Sequence, residues 1–157
     1  MLVSYPAGGA NDLVARLVAT ALTDALGATV VVDNRSGAAG VIGAEAAAKS
    51  PPDGYTLYMM SSSQVLAPSL RKVLPYDPVR DFTAIALAAR SSYVLAVHPS
   101  VPLRSMADLI AFAKANPGKL NYASSGTGAG PHLATALFAS MAGVELAKGS
   151  ALDIPCA

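Results

Sequence analysis

The sequence predicts an α/β fold built on a parallel sheet. Three observations carry this. Apolar, strand-like runs alternate with helix-like segments from the first residue onward. The helix-like segments repeat their apolar residues at three- and four-residue spacing. Glycine-rich turns fall where strands hand over to helices. Such alternation needs crossover helices, and crossovers leave neighbouring strands parallel.

The elements follow in order. Met1–Tyr5 reads as a short buried strand. Ala10–Leu26 reads as a helix, with Leu13, Val14, Leu17, Val18, Ala21, Leu22 and Leu26 in one apolar stripe. Arg16, Thr20 and Thr23 lie off that stripe, and Gly27 ends the helix. Thr29–Asp33, "TVVVD", is a β-branched run expected as a buried strand. "NRSGAAG" is a loop, Val41–Lys49 an alanine-rich helix, "SPPDG" a turn and Tyr55–Met60 the next strand.

Beyond Ser61–Gln64, a short helix is expected over Val65–Val73, then an irregular connector, "LPYDPVRDF". Phe82–Ala89 and Tyr93–His98 predict two further strands. Pro99–Leu103, with two prolines, predicts an extended linker. Ser105 with Asp108 three residues later predicts a capped helix over Met106–Ala115, stopped by "NPG". Leu120–Ala123 reads as a strand, "SSGTGAG" as a glycine loop, and Pro131–Ala142 as a helix with proline in its first turn. Strand, glycine loop and helix therefore occur at 1–26 and again at 120–142, which suggests two lobes of similar local design.

Composition narrows the partners. The chain has 157 residues, 53% hydrophobic and 13% charged, the balance of a packed globular protein. Eleven basic residues against ten acidic give +1, with no basic run longer than Arg71-Lys72. That is no field for nucleic acid or an anionic membrane surface. The apolar stretch Phe82–His98 is broken at Arg90 and falls short of the ~20 residues of a membrane span, so no membrane insertion is expected. "MLVSY" has neither the basic nor the long apolar region of an export signal, so the chain as written is expected in the cytoplasm. Cys156 reads as an incidental terminal thiol, and His98 and His132 lack the paired spacing of a zinc site. Neither metal nor cofactor is expected.

Three polar loops follow strands. "PAGGAND" contains Pro6, Ala7, Gly8, Gly9, Asn11 and Asp12 and opens a helix. A helix start leaves about four amides without acceptors and about half a positive charge, and glycines let a ligand come close to them. The loop reads as a carboxylate receptor, or else as a plain tight turn with an Asn/Asp cap. "SSGTGAGPH" makes the same offer through Gly126, Gly128 and Gly130, with hydroxyls from Ser124, Ser125 and Thr127. His132, in the first helical turn, is expected as a packed neutral ring and not as a catalyst. Ser61, Ser62, Ser63 and Gln64 follow the third strand. In open parallel sheets, ligands sit beyond the carboxyl ends of strands, where all three loops fall.

Competing motifs are weaker. "GTGAG" is G-x-G-x-G and lacks the dinucleotide spacing, although Glu145 falls near the acidic position of such a site. A nucleotide-binding α/β enzyme using "SSGTGAG" is the alternative reading. There is no phosphate-loop lysine motif and no G-x-S-x-G elbow, and nothing orients Ser124 and His132 as a triad. Arg16 and Arg35 are expected to be solvated surface charges.

In order along the chain, "YPAGGANDLVARLVATAL", "VVVDNRSGAAGVIGAEAAAKSPPDGYTLYM", "LPYDPVRDFTAIAL" and "HPSVPLRSMADLIAFAKANPGKLNYASSGTGAGPHLATALFASMAGVEL" resemble the substrate-binding proteins of tripartite tricarboxylate transporters, the Bug-type receptors. The resemblance covers roughly residues 2–146. It implies a periplasmic, two-lobed receptor with the type II periplasmic-binding-protein fold, a Venus flytrap. Such a protein is not an enzyme. It closes on a small organic carboxylate and delivers it to membrane permease subunits. The resemblance further implies that Pro6–Asp12 and Ser124–His132 hold the ligand with amides, hydroxyls and waters, and that Ser61–Gln64 contributes. Against that family pattern the chain is expected to be truncated: most of a first lobe at 1–98, the beginning of a second at 99–146, and a divergent tail at 147–157.

Overall fold

The computed structural model describes residues 1–124 and 127–149. The chain divides into two compact units, at Arg90 and Ser91, ahead of the Pro99–Leu103 stretch.

The first unit is a small parallel sheet flanked by helices. Strand β1 (Leu2–Val3) lies between β2 (Asp33–Asn34) and β3 (Tyr58–Met59), in the order β2-β1-β3. Leu2 pairs with Asp33 and Tyr58, and Val3 with Asn34 and Met59. The ladder runs past the strands: Leu2 N–H donates to Leu57 O at 2.8 Å, Asp33 N–H to Met1 O at 2.9 Å and Arg35 N–H to Val3 O at 2.8 Å. Because all three strands are parallel, the turns after β1, β2 and β3 emerge on one edge of the sheet.

Helix α1 (Ala10–Leu26) has the expected bounds and a different buried face. Asp12, Ala15 and Ala19 are buried, while Leu13 and Leu17 of the expected stripe stand 56% and 73% exposed. The two alanines let the helix backbone approach, so packing rotates the apolar stripe partly toward solvent. Helix α2 (Val41–Ala48) follows a 3₁₀ turn at Ala38–Gly40, and its Val41 and Ala44 pack with Tyr76. Tyr58, Leu74 and Phe82 close over that cluster, with Phe82 stacked on Tyr58 at 5.4 Å and edge-on to Tyr76 at 6.1 Å. Burial raises the Tyr58 and Tyr76 hydroxyls above the ordinary tyrosine range, so both stay protonated.

Helix α3 (Ser62–Leu70) begins ahead of the expected Val65. Ser61 caps it, because Gln64 Oε1 accepts the Ser61 amide at 2.8 Å and the Ser61 hydroxyl at 2.7 Å. Pro68 lies inside the helix, which ends two residues later at Leu70.

The second unit carries α4 (Met106–Ala115), β4 (Asn121–Tyr122), α5 (Gly130–Ala142) and β5 (Ala147–Lys148). Ser105 caps α4 as its spacing predicts: its Oγ accepts the Asp108 amide at 3.1 Å, and Asp108 Oδ2 accepts the Arg104 amide at 3.1 Å. Strand β5, at the start of the expected divergent tail, runs parallel to β4, with Asn121 opposite Ala147 and Tyr122 opposite Lys148.

Three expectations fail here. Thr29–Asp33 is not a buried strand: only Asp33 of that run pairs with β1, and Thr29, Val31 and Asp33 are exposed, because the two-residue β1 offers a ladder no longer than Asp33–Asn34. Phe82–Ala89 and Tyr93–His98 form no strand, and every residue from 83 to 100 is exposed. Their β-branched and apolar residues suit a pleated surface, but a strand exists only where a neighbour completes its ladder. Pro99–Leu103 is a compact turn and not an extended linker. Val101 N–H donates to His98 O at 2.9 Å and Leu103 N–H to Val101 O at 2.8 Å, the latter a three-residue turn. Cys156 lies outside the described residues.

Candidate functional site

The turn from β1 into α1 is built around one carboxylate. Gly8 adopts φ +83°, and its amide donates to Asp12 Oδ2 at 2.8 Å. A left-handed residue there turns the amide back toward the helix, which is why glycine occupies the position. Gly9 N–H donates to Pro6 O at 3.3 Å. The Asp12 side chain is only 2% exposed. Its Oδ2 also accepts from Arg16 Nε at 2.9 Å, and its Oδ1 accepts from Asn34 Nδ2 at 2.9 Å. Asn34 Nδ2 reaches Tyr5 O at 3.0 Å, and Arg16 Nη2 reaches Asn34 Oδ1 at 3.2 Å. The Arg16, Gly8 and Asn34 hydrogen bonds hold the Asp12 carboxyl down at about 2. Arg16 is thus the partner of Asp12 and not a free surface charge. Arg35 pairs with Asp33 at 2.8 Å, both half exposed.

Asp12 is the third residue of α1, and its oxygens are occupied within the protein. The first-turn amides of Ala10 and Asn11 have no acceptor among the described residues. Pro6, Ala7 and Gly8 are exposed, and Gly9 and Asn11 are half-buried.

The turn after β3 is spent mostly on internal bonds. Ser63 and Gln64 are buried, Ser61 is half-buried and Ser62 exposed. Tyr5 Oη shares hydrogen bonds with Ser63 Oγ at 2.5 Å and Ser61 Oγ at 3.2 Å, and accepts from Gln64 Nε2 at 3.1 Å. Gln64 Nε2 also donates to Ala39 O at 3.4 Å, and the Gln64 carbonyl accepts from Tyr76 Oη at 3.1 Å. Gly40 packs onto Gln64 with φ +92°, and a Cβ there would overlap Gln64 Nε2. The ends of β1, β2 and β3 are therefore tied into one hydrogen-bonded edge.

In the second unit, Ser125 and Gly126 lie outside the described residues. Gly128 has φ +83°, and its amide donates to His132 Nδ1 at 3.2 Å. That bond assigns the proton of the ring to Nε2, so His132 acts here as a neutral acceptor. The ring stacks on Tyr122 at 6.5 Å. Ser124 Oγ is buried and has no hydrogen-bond partner among the described residues. Thr127 is exposed and Gly130 half-buried. Gly130 is the first residue of α5, and Pro131 after it has no amide to offer.

The two glycine loops share one construction. In each, a glycine at φ +83° lies two residues before its helix, and its amide is accepted by the third helical residue. Sequence reasoning missed Tyr5 and Asn34 as parts of the first site. The available signal was position, since Asn34 ends β2 and Tyr5 lies two residues past the end of β1, both at the carboxyl edge of the sheet.

The dinucleotide reading loses its acid. Glu145 lies before β5, at the amino end of that strand, whereas a ribose-binding acid belongs near the carboxyl ends. A cavity of 480 Å³ in the second unit is lined by Tyr122, Thr135 and Val144 among others and, among the described residues, by neither Gly128 nor Gly130. Among the described residues, no three His, Cys, Asp or Glu gather as a metal site. Among them too, no helix is long and apolar enough to cross a membrane.

Comparison with known proteins gives this arrangement a lineage. The profile described as "Tripartite tricarboxylate transporter family receptor" matches residues 14–150. Protein BugT of Bordetella pertussis (strain Tohama I) is 43% identical over 156 residues, covering 98% of this chain and 46% of that protein. The solved structure "R. palustris Rpa4515 with adipate" is similar with a TM-score of 0.84 at 39% identity, over 95% of this chain and 50% of that one. The periplasmic binding protein BugD gives a TM-score of 0.79 at 34% identity, over 94% and 50%. The chain thus spans about half the length of the relatives it matches, and over that half it has their α/β periplasmic-binding-protein fold. Profile, identity and fold agree that the chain belongs to the receptor family of the tripartite tricarboxylate transporters.

Proposed function

We propose that this chain supplies part of a receptor site for a small organic carboxylate, and that it serves a tripartite transporter by binding and not by catalysis. One observation carries the reading: two helix starts of matched construction, each opened by a glycine turn of the same shape, the first of them with the Ala10 and Asn11 amides lacking an acceptor among the described residues. Such amides, aided by the helix dipole, recognise a carboxylate without needing an arginine. Family membership and the adipate held by the Rpa4515 structure point to the same ligand class. On this reading Pro6, Ala7, Gly8 and Gly9 offer close backbone, Asn11 its amide, and Ser62 an exposed hydroxyl. In the second unit Gly126, Gly128 and Gly130 offer close backbone, and Ser124, Ser125 and Thr127 hydroxyls. Asp12, Ser63, Gln64 and His132 hold the turns in shape. The partners are the carboxylate and the permease subunits of the transporter, and the compartment is the periplasm.

Calorimetry of the folded chain tests this. Adipate, shorter dicarboxylates, a tricarboxylate and acidic amino acids form one panel, and NADH is the counter-ligand. At least one carboxylate is expected to give saturable heat and NADH none. Silence across the carboxylates from folded protein, or binding of NADH alone, overturns the reading.

A further inference from the structure

The search for a second site turns on what Asp12 is for. A buried carboxylate at the mouth of a site for anions is paradoxical, because like charges repel. The structure resolves this by occupying both oxygens of Asp12 internally. Oδ2 takes the Gly8 amide and Arg16, and Oδ1 takes Asn34. Arg16 supplies the balancing charge, and Asn34 reaches across from β2 to orient the group. His132 stands at the equivalent place in the second unit and does the same task without charge.

We propose that Asp12 and His132 are matched positioning residues: each captures the amide of the glycine four residues earlier and so fixes the shape of a glycine loop, without touching the ligand. The proposal rests on the carboxylate-receptor reading for its purpose, but the capture itself is a property of the free protein. Glycine loops are conformationally permissive, and an unfixed loop spends binding free energy on its own ordering. An internal acceptor removes that cost before the ligand arrives. It also directs the captured amide inward, which in the first unit leaves the first-turn amides of Ala10 and Asn11 as the ones a carboxylate meets.

Amide hydrogen exchange on the full chain, followed residue by residue by NMR without ligand, separates this proposal from the receptor reading. In the parent protein the Gly8 and Gly128 amides are expected to exchange at least about tenfold slower than an open amide. Asp12→Ala is expected to release Gly8 alone, and His132→Ala to release Gly128 alone. Asp12→Asn keeps a side-chain oxygen acceptor, and His132→Asn puts one near the place of the Nδ1 that accepts the Gly128 amide, so both are expected to restore most of the protection. The Asn variants also guard against variants that simply fail to fold. Adipate titrations of the same set are the second readout, in which the Ala variants should lose at least about tenfold in affinity and the Asn variants clearly less. Unchanged Gly8 and Gly128 exchange in the Ala variants overturns the proposal. If the parent protein ignores every carboxylate while exchange behaves as expected, the receptor reading fails and the capture of the glycine amides stands.

Discussion

Asp12 accepts the amide of Gly8 at 2.8 Å, so a carboxylate buried under the first helical turn determines the shape of an exposed loop. Its charge is answered by Arg16 one helical turn later and its orientation by Asn34 on the adjacent strand. The geometry has consequences that simple measurements can check.

The first concerns acid. The Asp12 carboxyl sits at about 2 in the folded chain against 3.8 for a free side chain. A folded value below the unfolded one means that protons favour the unfolded state. The stabilisation is therefore complete above about pH 4 and is lost as pH falls toward 2. Asp77 and Asp108 are lowered in the same direction by backbone amides and add to the trend. Urea midpoints measured from pH 5 to pH 2 should fall steeply for the parent protein and more gently for Asp12→Asn. Identical slopes would remove Asp12 from the account.

Gly40 tests the tie between loop ends. With φ +92° and Gln64 against its Cα, Gly40→Ala combines backbone strain with overlap, each costing about 1–3 kcal/mol. Gly54 has φ +85° and open space around it, so Gly54→Ala should cost only the backbone component, about 1–2 kcal/mol. Chemical denaturation of both variants should rank Gly40→Ala as clearly the worse. Equal losses would mean that Gln64 gives way freely.

Gln64 itself is the hub of the first unit's edge, bonded to Ser61, Tyr5 and Ala39 through its side chain. Gln64→Ala leaves buried donors and acceptors unpaired, a loss of roughly 1–3 kcal/mol, and removes half of the cap of α3. Far-UV circular dichroism should show a small helical loss, with the unfolding midpoint displaced to lower urea.

Helix α1 offers a contrast of faces. Ala19→Leu forces a larger side chain between helix and sheet and should cost about 1–3 kcal/mol. Leu17→Lys, at an exposed position, should leave stability within about 0.5 kcal/mol of the parent in urea denaturation. If Leu17→Lys unfolds the chain, the apolar stripe expected from the sequence is the true packing face after all.

What the sequence by itself determined is local. Helix bounds at Ala10–Leu26 and Met106–Ala115 follow from three- and four-residue spacing and from nearby cap and stop residues. The repeated strand, glycine loop and helix, the absence of a nucleotide motif and the family pattern are all legible along the chain. The cap at Ser61 and Gln64 is legible too, in its S-x-x-Q spacing. Tertiary structure alone decided the rest. Which face of α1 is buried depends on how closely Ala15 and Ala19 admit the sheet. Whether 82–89 and 93–98 become strands depends on a neighbouring ladder that no single segment contains. The partners of the site's polar groups lie far along the chain: Asn34 is 22 residues from Asp12, and Ser63 is 58 from Tyr5. Helical spacing and caps act within a turn or two, whereas these contacts exist only once β1, β2 and β3 have paired and brought their ends to one edge.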